Sequence, residues 1–175
     1  LSFLIPTSSI LEESKLIQLL NENTISFNNS PQEFDTEVWL IDMSNRLKDQ
    51  IQNPEERISI LKRVHFEATR TKLPPELILA LIDVESNFNQ FAISSVGAQG
   101  LMQIMPFWLK EIGKPSDNLL NIDTNIRFGT TILRYYIDIE EGDLKKGLAR
   151  YNGSIGKIDY PNKVLDKLRL KWFKQ

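Results

Sequence analysis

Residues 74–106 read PPELILALIDVESNFNQFAISSVGAQGLMQIMP, and both the fold and the chemistry of the chain turn on them. Proline disfavours helix at the residue before it and suits the first helical position, so PPELILALIDVES predicts a helix that starts at the proline pair. Glu85 lies four residues after Leu81, three after Ile82 and three before Phe88, on the same stripe of a 3.6-residue helix as those apolar side chains. Two explanations compete for a carboxylate there. It is either a helix-end group paired with a cation or a backbone donor, or a general acid whose pKa is raised by partial desolvation so that it holds a proton for a leaving group. The residues downstream of Glu85 favour the general acid. Asn87, Asn89, Ser94, Ser95, Gly97 and Gly100 interrupt the helix, and Leu101, Met102, Ile104 and Met105 then resume an apolar run around Gln103. Close-approaching backbone, short hydroxyls and one amide beside an apolar wall make the composition of a groove.

A general acid that protonates a leaving group is commonly paired with a second carboxyl group acting as nucleophile or base. Between Ser86 and Ser116 the only other acid is Glu111, on a separate short helix after Pro106 with no spacing that sets it opposite Glu85. A single-acid site must obtain its nucleophile elsewhere.

Three blocks carry a family resemblance: Glu85-Ser86, then Gly97-Ala98-Gln99-Gly100-Leu101-Met102-Gln103-Ile104-Met105-Pro106, then Ala149-Arg150-Tyr151-Asn152-Gly153. Together they resemble the signature blocks of the soluble-type lytic transglycosylases, which share the goose-type-lysozyme-like fold, over roughly Leu73 to Lys157. The resemblance implies that Glu85 protonates the bond between N-acetylmuramic acid and N-acetylglucosamine in peptidoglycan and then acts as base. The muramyl C6 hydroxyl attacks its own anomeric carbon and a 1,6-anhydro product forms without water. It also implies that Ser86 supports the helix end, Ser94 contacts sugar substituents, Gln103 is the groove amide, Met105 lies beside the sugar face, and Tyr151 and Asn152 form the Tyr-Asn block near the acid. No metal or organic cofactor is implied. One departure is present, since the family's last block often reads Tyr-Asn-Ala-Gly and this chain has Tyr151-Asn152-Gly153-Ser154. The rival readings are a muramidase of the goose-type kind, with water as acceptor, and a non-catalytic peptidoglycan-binding or assembly module.

The rest of the chain predicts helices. Ser9 and Glu12 in capping-box spacing open one over residues 7–23. Ser30-Pro31-Gln32-Glu33 opens a second running to about Gln52, and Asn53-Pro54-Glu55-Glu56 a third ending near Lys72. Its His65, the only histidine, has no partner of ligand type at useful spacing and reads as structural. Beyond Pro106 come a short helix in FWLKEIG, a long one capped by Asp123 and closed by Gly142, one from Asp143 to Arg150, and a last from Asp159-Tyr160-Pro161. The expectation is a mostly α, lysozyme-like domain of about eight helices with at most a vestigial β-hairpin between Phe88 and Gly97. Residues 1–72 are expected as an N-terminal helical extension packed on a catalytic core at 73–175.

At 175 residues, 41% apolar and 25% charged, the chain has the makeup of a cored globular protein. It has no apolar run of membrane-spanning length, and Leu1–Pro6 is too short for a signal-peptide core. A chain that opens on Leu rather than Met reads as a mature or trimmed form, with residence in the periplasm or cell envelope implied by the resemblance. The absence of cysteine rules out disulfides, thiolate metal sites and thiol nucleophiles. The net charge of −2 hides an asymmetry: residues 145–175 hold nine Lys or Arg against Asp159 and Asp166, so this segment is +7 and the remainder −9. A solvated helix face is the favoured reading of that basic segment, and an anionic polymer, a membrane surface or an envelope protein is the partner it would otherwise meet. No basic platform interleaved with aromatics supports nucleic-acid binding. A monomer acting on glycan strands is expected.

Overall fold

The computed structural model describes residues 31–173 and divides between Leu61 and Lys62 into two compact units. The helix expected over residues 7–23 lies outside the described residues. Among those described are seven α-helices, one π-helical turn and no named strand: α1 (Pro31–Arg46), α2 (Pro54–Thr71), α3 (Pro75–Ser86), α4 (Trp108–Ile112), α5 (Ile122–Ile139), α6 (Leu144–Tyr151), α7 (Asp159–Lys167) and the π turn Leu168–Trp172. Mostly α is the architecture.

In the first unit α1 stops at Arg46, six residues short of the expected end, and the chain turns through Leu47–Gln50. The buried Arg57 guanidinium explains why this turn is stable. It donates to Ser44 Oγ at 3.1 Å and to the carbonyls of Ile51 and Gln52 at 2.7 and 3.1 Å, so acceptors released by the broken helix are satisfied. Asn53 caps α2 as expected, its Oδ1 accepting from the Glu55 amide at 2.9 Å.

The second unit is built on α3. Leu77 through Asp83 are seven consecutive buried residues, so this helix is enclosed on every side. Helix α7 and the π turn pack on it, α6 packs on α7, and α5 packs on α6. Helix α5 begins at Ile122 with Asn121 as its cap, the Asn121 Oδ1 accepting from the Thr124 amide at 3.0 Å. The expected cap, Asp123, sits in the first turn, where a carboxylate complements the helix dipole without capping it. Asp143 does cap α6, accepting from the Lys146 amide at 3.0 Å, and Gly142 closes α5 at φ +89°.

The expected hairpin is smaller than a ladder and displaced toward the carboxy terminus. Two isolated antiparallel bridges join Ile93 to Gln99 and Gln99 to Ile104, so Gln99 is its centre rather than the stretch before Gly97. Gly100 makes the turn possible. At φ +76° a Cβ there would stand 2.5 Å from the Leu119 carbonyl oxygen and 2.3 Å from Asn125 Nδ2, so only glycine fits.

Candidate active site

Helix α3 delivers Glu85 to its last turn, and the chain leaves that turn by two successive left-handed residues, Asn87 at φ 49° and Phe88 at φ 63°. Asn tolerates this conformation; Phe does not, at a cost of about 1–2 kcal/mol. The Phe88 ring offsets that cost by burial against Trp172, with centroids 5.5 Å apart. The exit is thereby held, and Glu85 with it.

The Glu85 carboxylate accepts a hydrogen bond from the Tyr160 hydroxyl at the start of α7. Burial raises its pKa above the ordinary carboxylate value, while the Tyr160 bond and the Lys163 charge hold the rise back. No carboxylate is among the groups that perturb it. Tyr151, the last residue of α6, donates to the Met102 carbonyl at 2.7 Å and lies close enough to Glu85 to respond to its charge. Burial first, and the Glu85 charge second, push both phenols well above their ordinary range, so Tyr151 and Tyr160 stay protonated donors.

The other expected site residues build the wall beside this centre. Ser86 Oγ donates to the Leu101 carbonyl at 2.7 Å, tying the end of α3 to the Gly97–Pro106 segment. Ser94 Oγ accepts from the Ala98 amide at 3.0 Å within the small antiparallel turn. Gln103 is itself left-handed at φ 51°, and its amide nitrogen donates to the carbonyls of Gly100 at 2.9 Å and Ala92 at 3.2 Å. Met105 is half-buried at the end of the segment. Asn152 is exposed as the residue that ends α6. Of the expected residues, Tyr151 is thus placed near enough to Glu85 to feel its charge, while its hydroxyl is bonded to Met102. Ser86, Ser94 and Gln103 spend hydrogen bonds on shaping the segment whose Met102 carbonyl holds Tyr151. His65, half-buried in α2 with its pKa lowered by burial, forms no part of this arrangement.

A family model described as the transglycosylase SLT domain matches residues 63–167, more than half of the chain. The chain belongs to the SLT domain family. The transglycosylase of Enterobacteria phage PRD1 is 33% identical over 105 residues, covering 56% of this chain and 38% of the phage protein. Membrane-bound lytic murein transglycosylase C of Histophilus somni (strain 2336) is 35% identical over 114 residues, covering 56% of this chain and 31% of that protein. The chain therefore spans only about a third of the length of these curated relatives. An inactive variant of lytic transglycosylase Slt from Pseudomonas aeruginosa superposes with a TM-score of 0.51 at 21% identity, covering 89% of this chain and 33% of that one. At that identity the likeness concerns the fold, and it supports the lysozyme-like helical architecture.

Within this SLT domain, four residues outside the three sequence blocks complete the site. Tyr160 and Lys163 face Glu85 from α7. Their spacing with the buried Val164 and with Lys167, at i, i+3, i+4 and i+7, put a phenol on an inward stripe, but nothing in the chain says which residue 75 positions earlier it meets. Asn125 is buried and fully used. Its Oδ1 accepts from the Met102 amide at 2.7 Å, and its Nδ2 donates to the carbonyls of Gln99 at 2.8 Å and Leu119 at 2.7 Å. Asn on the apolar stripe of α5 with Ile126, Phe128 and Ile132 was the signal available. Asp83, buried two residues before Glu85, accepts from Lys167 Nζ and Lys171 Nζ at 3.2 Å each and from Trp172 Nε1 at 3.1 Å. The i→i+5 repeat of the π turn sets residues five apart on one face, which lets Trp172 join Lys167. Part of the basic carboxy-terminal charge is spent internally in this way. Arg150 pairs with Glu140 and Arg169 with Asp166 as well.

No helix among the described residues is long and apolar enough to cross a membrane, and none of their acid and histidine side chains cluster as metal ligands would.

Proposed function

We propose that this chain is a lytic transglycosylase that cleaves the β-1,4 bond between N-acetylmuramic acid and N-acetylglucosamine in peptidoglycan and leaves a 1,6-anhydromuramyl end. The observation that carries the reading is one half-buried carboxyl, Glu85, whose pKa is raised by burial and which has a phenol rather than a second carboxylate as its partner. A two-carboxylate mechanism needs both groups flanking the bond. Here the second function falls to the substrate.

In this mechanism the protonated Glu85 gives its proton to the glycosidic oxygen as the bond to the anomeric carbon breaks, and the muramyl 2-acetamido oxygen closes on that carbon. The Tyr160 hydroxyl stabilises the carboxylate that remains. Glu85 then takes the proton of the muramyl C6 hydroxyl, whose oxygen attacks the anomeric carbon and releases the acetamido group. The first proton leaves on the departing sugar's hydroxyl, Glu85 ends protonated by the C6 hydroxyl proton, and no water is consumed. Tyr151, anchored on the Met102 carbonyl, sets the edge of the wall beside the acid. Ser94, Gln103, Met105 and Asn152 are proposed to line the glycan path, with Ser86 holding the helix end against it. The match to lytic murein transglycosylases supports this activity and a place in the periplasm or cell envelope.

Mass spectrometry of the soluble products from purified peptidoglycan sacculi tests the reading. Muropeptides ending in 1,6-anhydromuramic acid are expected from the parent, with rates at least about a hundredfold lower for Glu85→Gln. Reducible muramic acid ends would show a hydrolase instead. Binding without any soluble product would show a non-catalytic module.

A further inference from the structure

A row of aromatic rings leads away from the acid. Tyr136 on α5 lies near enough to Tyr151 to act on its hydroxyl, and Tyr151 in turn feels Glu85. The Tyr136 ring meets Trp108 edge-on, with centroids 6.2 Å apart at 75°. Trp108 meets Phe107 at 5.2 Å, and Tyr135 meets Tyr136 at 5.5 Å. Phe107 is 52% exposed and Tyr135 54%. Core packing accounts for only part of the row, since Trp108 and Tyr136 are half-buried while Phe107 and Tyr135 stand exposed. The polar edges are also unspent. Among the described residues neither the Trp108 indole N–H nor the hydroxyl of Tyr135 or Tyr136 has a hydrogen-bond partner.

Exposed rings with available donors suit a ligand that offers apolar faces rimmed by hydroxyls. A β-1,4-linked pyranose has this form, because its substituents stand equatorial and leave C–H groups on both faces. Those C–H groups carry slight positive charge and meet the negative face of an aromatic ring.

Building on the proposed glycan substrate, we propose that Phe107, Trp108, Tyr135 and Tyr136 form a stacking track that grips the glycan strand beyond the sugars at Glu85. The ring contacts run from Tyr136 outward, and the packing of α5 on α6, which sets Tyr136 near Tyr151, places the track beside the acid.

Calorimetric titration of the Glu85→Gln protein with a hexamer of β-1,4-linked N-acetylglucosamine tests it. Adding Trp108→Ala should weaken binding about tenfold, as loss of a central aromatic anchor does, and Trp108→Phe should recover most of it. Trp108 is half-buried, so the unfolding midpoint is read alongside to show that each variant stays folded, and Phe107→Ala, at a more exposed position, supplies a second variant with a smaller loss. Unchanged hexamer affinity in both folded variants, with anhydro products still formed by the parent, would overturn the track and leave the proposed activity standing. No hexamer binding by Glu85→Gln and no anhydro product from the parent would overturn both.

Discussion

The Asp83 cluster joins the helix that carries Glu85 to the segment that carries Tyr160, so Asp83→Ala probes the site from behind. The Asp83 side chain is 1% exposed, whereas the Lys167 and Lys171 side chains are 43% and 31% exposed. After truncation the lysine ends recover water, so each ion pair is worth only about 0.5–1 kcal/mol. Trp172 is 1% exposed, and its indole N–H loses a charged acceptor that water cannot replace, at about 1–3 kcal/mol. Together these give a destabilisation of about 3 kcal/mol, well below what a sealed pair would give. In a chain of this size that lowers the unfolding midpoint by about 6–12 °C. Thermal unfolding followed by circular dichroism measures it, with Asp83→Asn expected between the two because an amide oxygen can still accept from Trp172. Turnover of sacculi should fall as well, since α7 loses its anchor on α3. A midpoint within about 2 °C of the parent for Asp83→Ala would refute the view that this cluster holds the site together.

Three further outcomes are expected. Tyr160→Phe removes a bond that favours the carboxylate form of Glu85, so the already raised pKa rises further and the alkaline limb of the kcat/KM profile moves to higher pH; movement to lower pH would contradict the assigned role. Glu85→Gln should be more stable than the parent at pH 7. The folded Glu85 pKa lies above the ordinary 4.5, so the parent is most stable below that value and loses stability as pH rises through the raised one, while glutamine stays neutral. Unfolding midpoints measured from pH 3 to 8 should diverge with pH, and parallel curves would count against a desolvated acid. Gly100→Ala should cost about 2–4 kcal/mol in denaturant unfolding, because its Cβ collides with Leu119 and Asn125, whereas Gly97→Ala, with nothing within 4 Å, should cost about 1–2 from its left-handed φ alone.

Local information was enough for the features that depend on neighbours in the chain. The proline pair, the uninterrupted apolar run and the breakers after Glu85 specify α3 and its end, because helix start, enclosure and termination are read within a few residues. The Asp143 cap was equally legible. The Asp123 cap was not, since Asn121 and Asp123 both suit a helix start and the choice between them rests on where the preceding loop delivers the backbone. The end of α1 at Arg46 had the same cause. Arg57, from the next helix, supplies donors that make the break stable, and no window on α1 contains it.

For the candidate site, the sequence by itself singled out Glu85, the segment that shapes the wall beside it and the Tyr-Asn pair, because each is a compact block whose residue types suggest a chemistry. Tertiary structure alone decided what surrounds the acid. Tyr160 reaches Glu85 across 75 positions, and Lys167, Lys171 and Trp172 converge on Asp83 across 84 to 89. The physical reason is that a pKa depends on burial and neighbouring charge, both set by which helix faces meet. A sequence names the carboxyl; burial in the folded chain raises its pKa, and Tyr160 and Lys163 of α7 limit the rise.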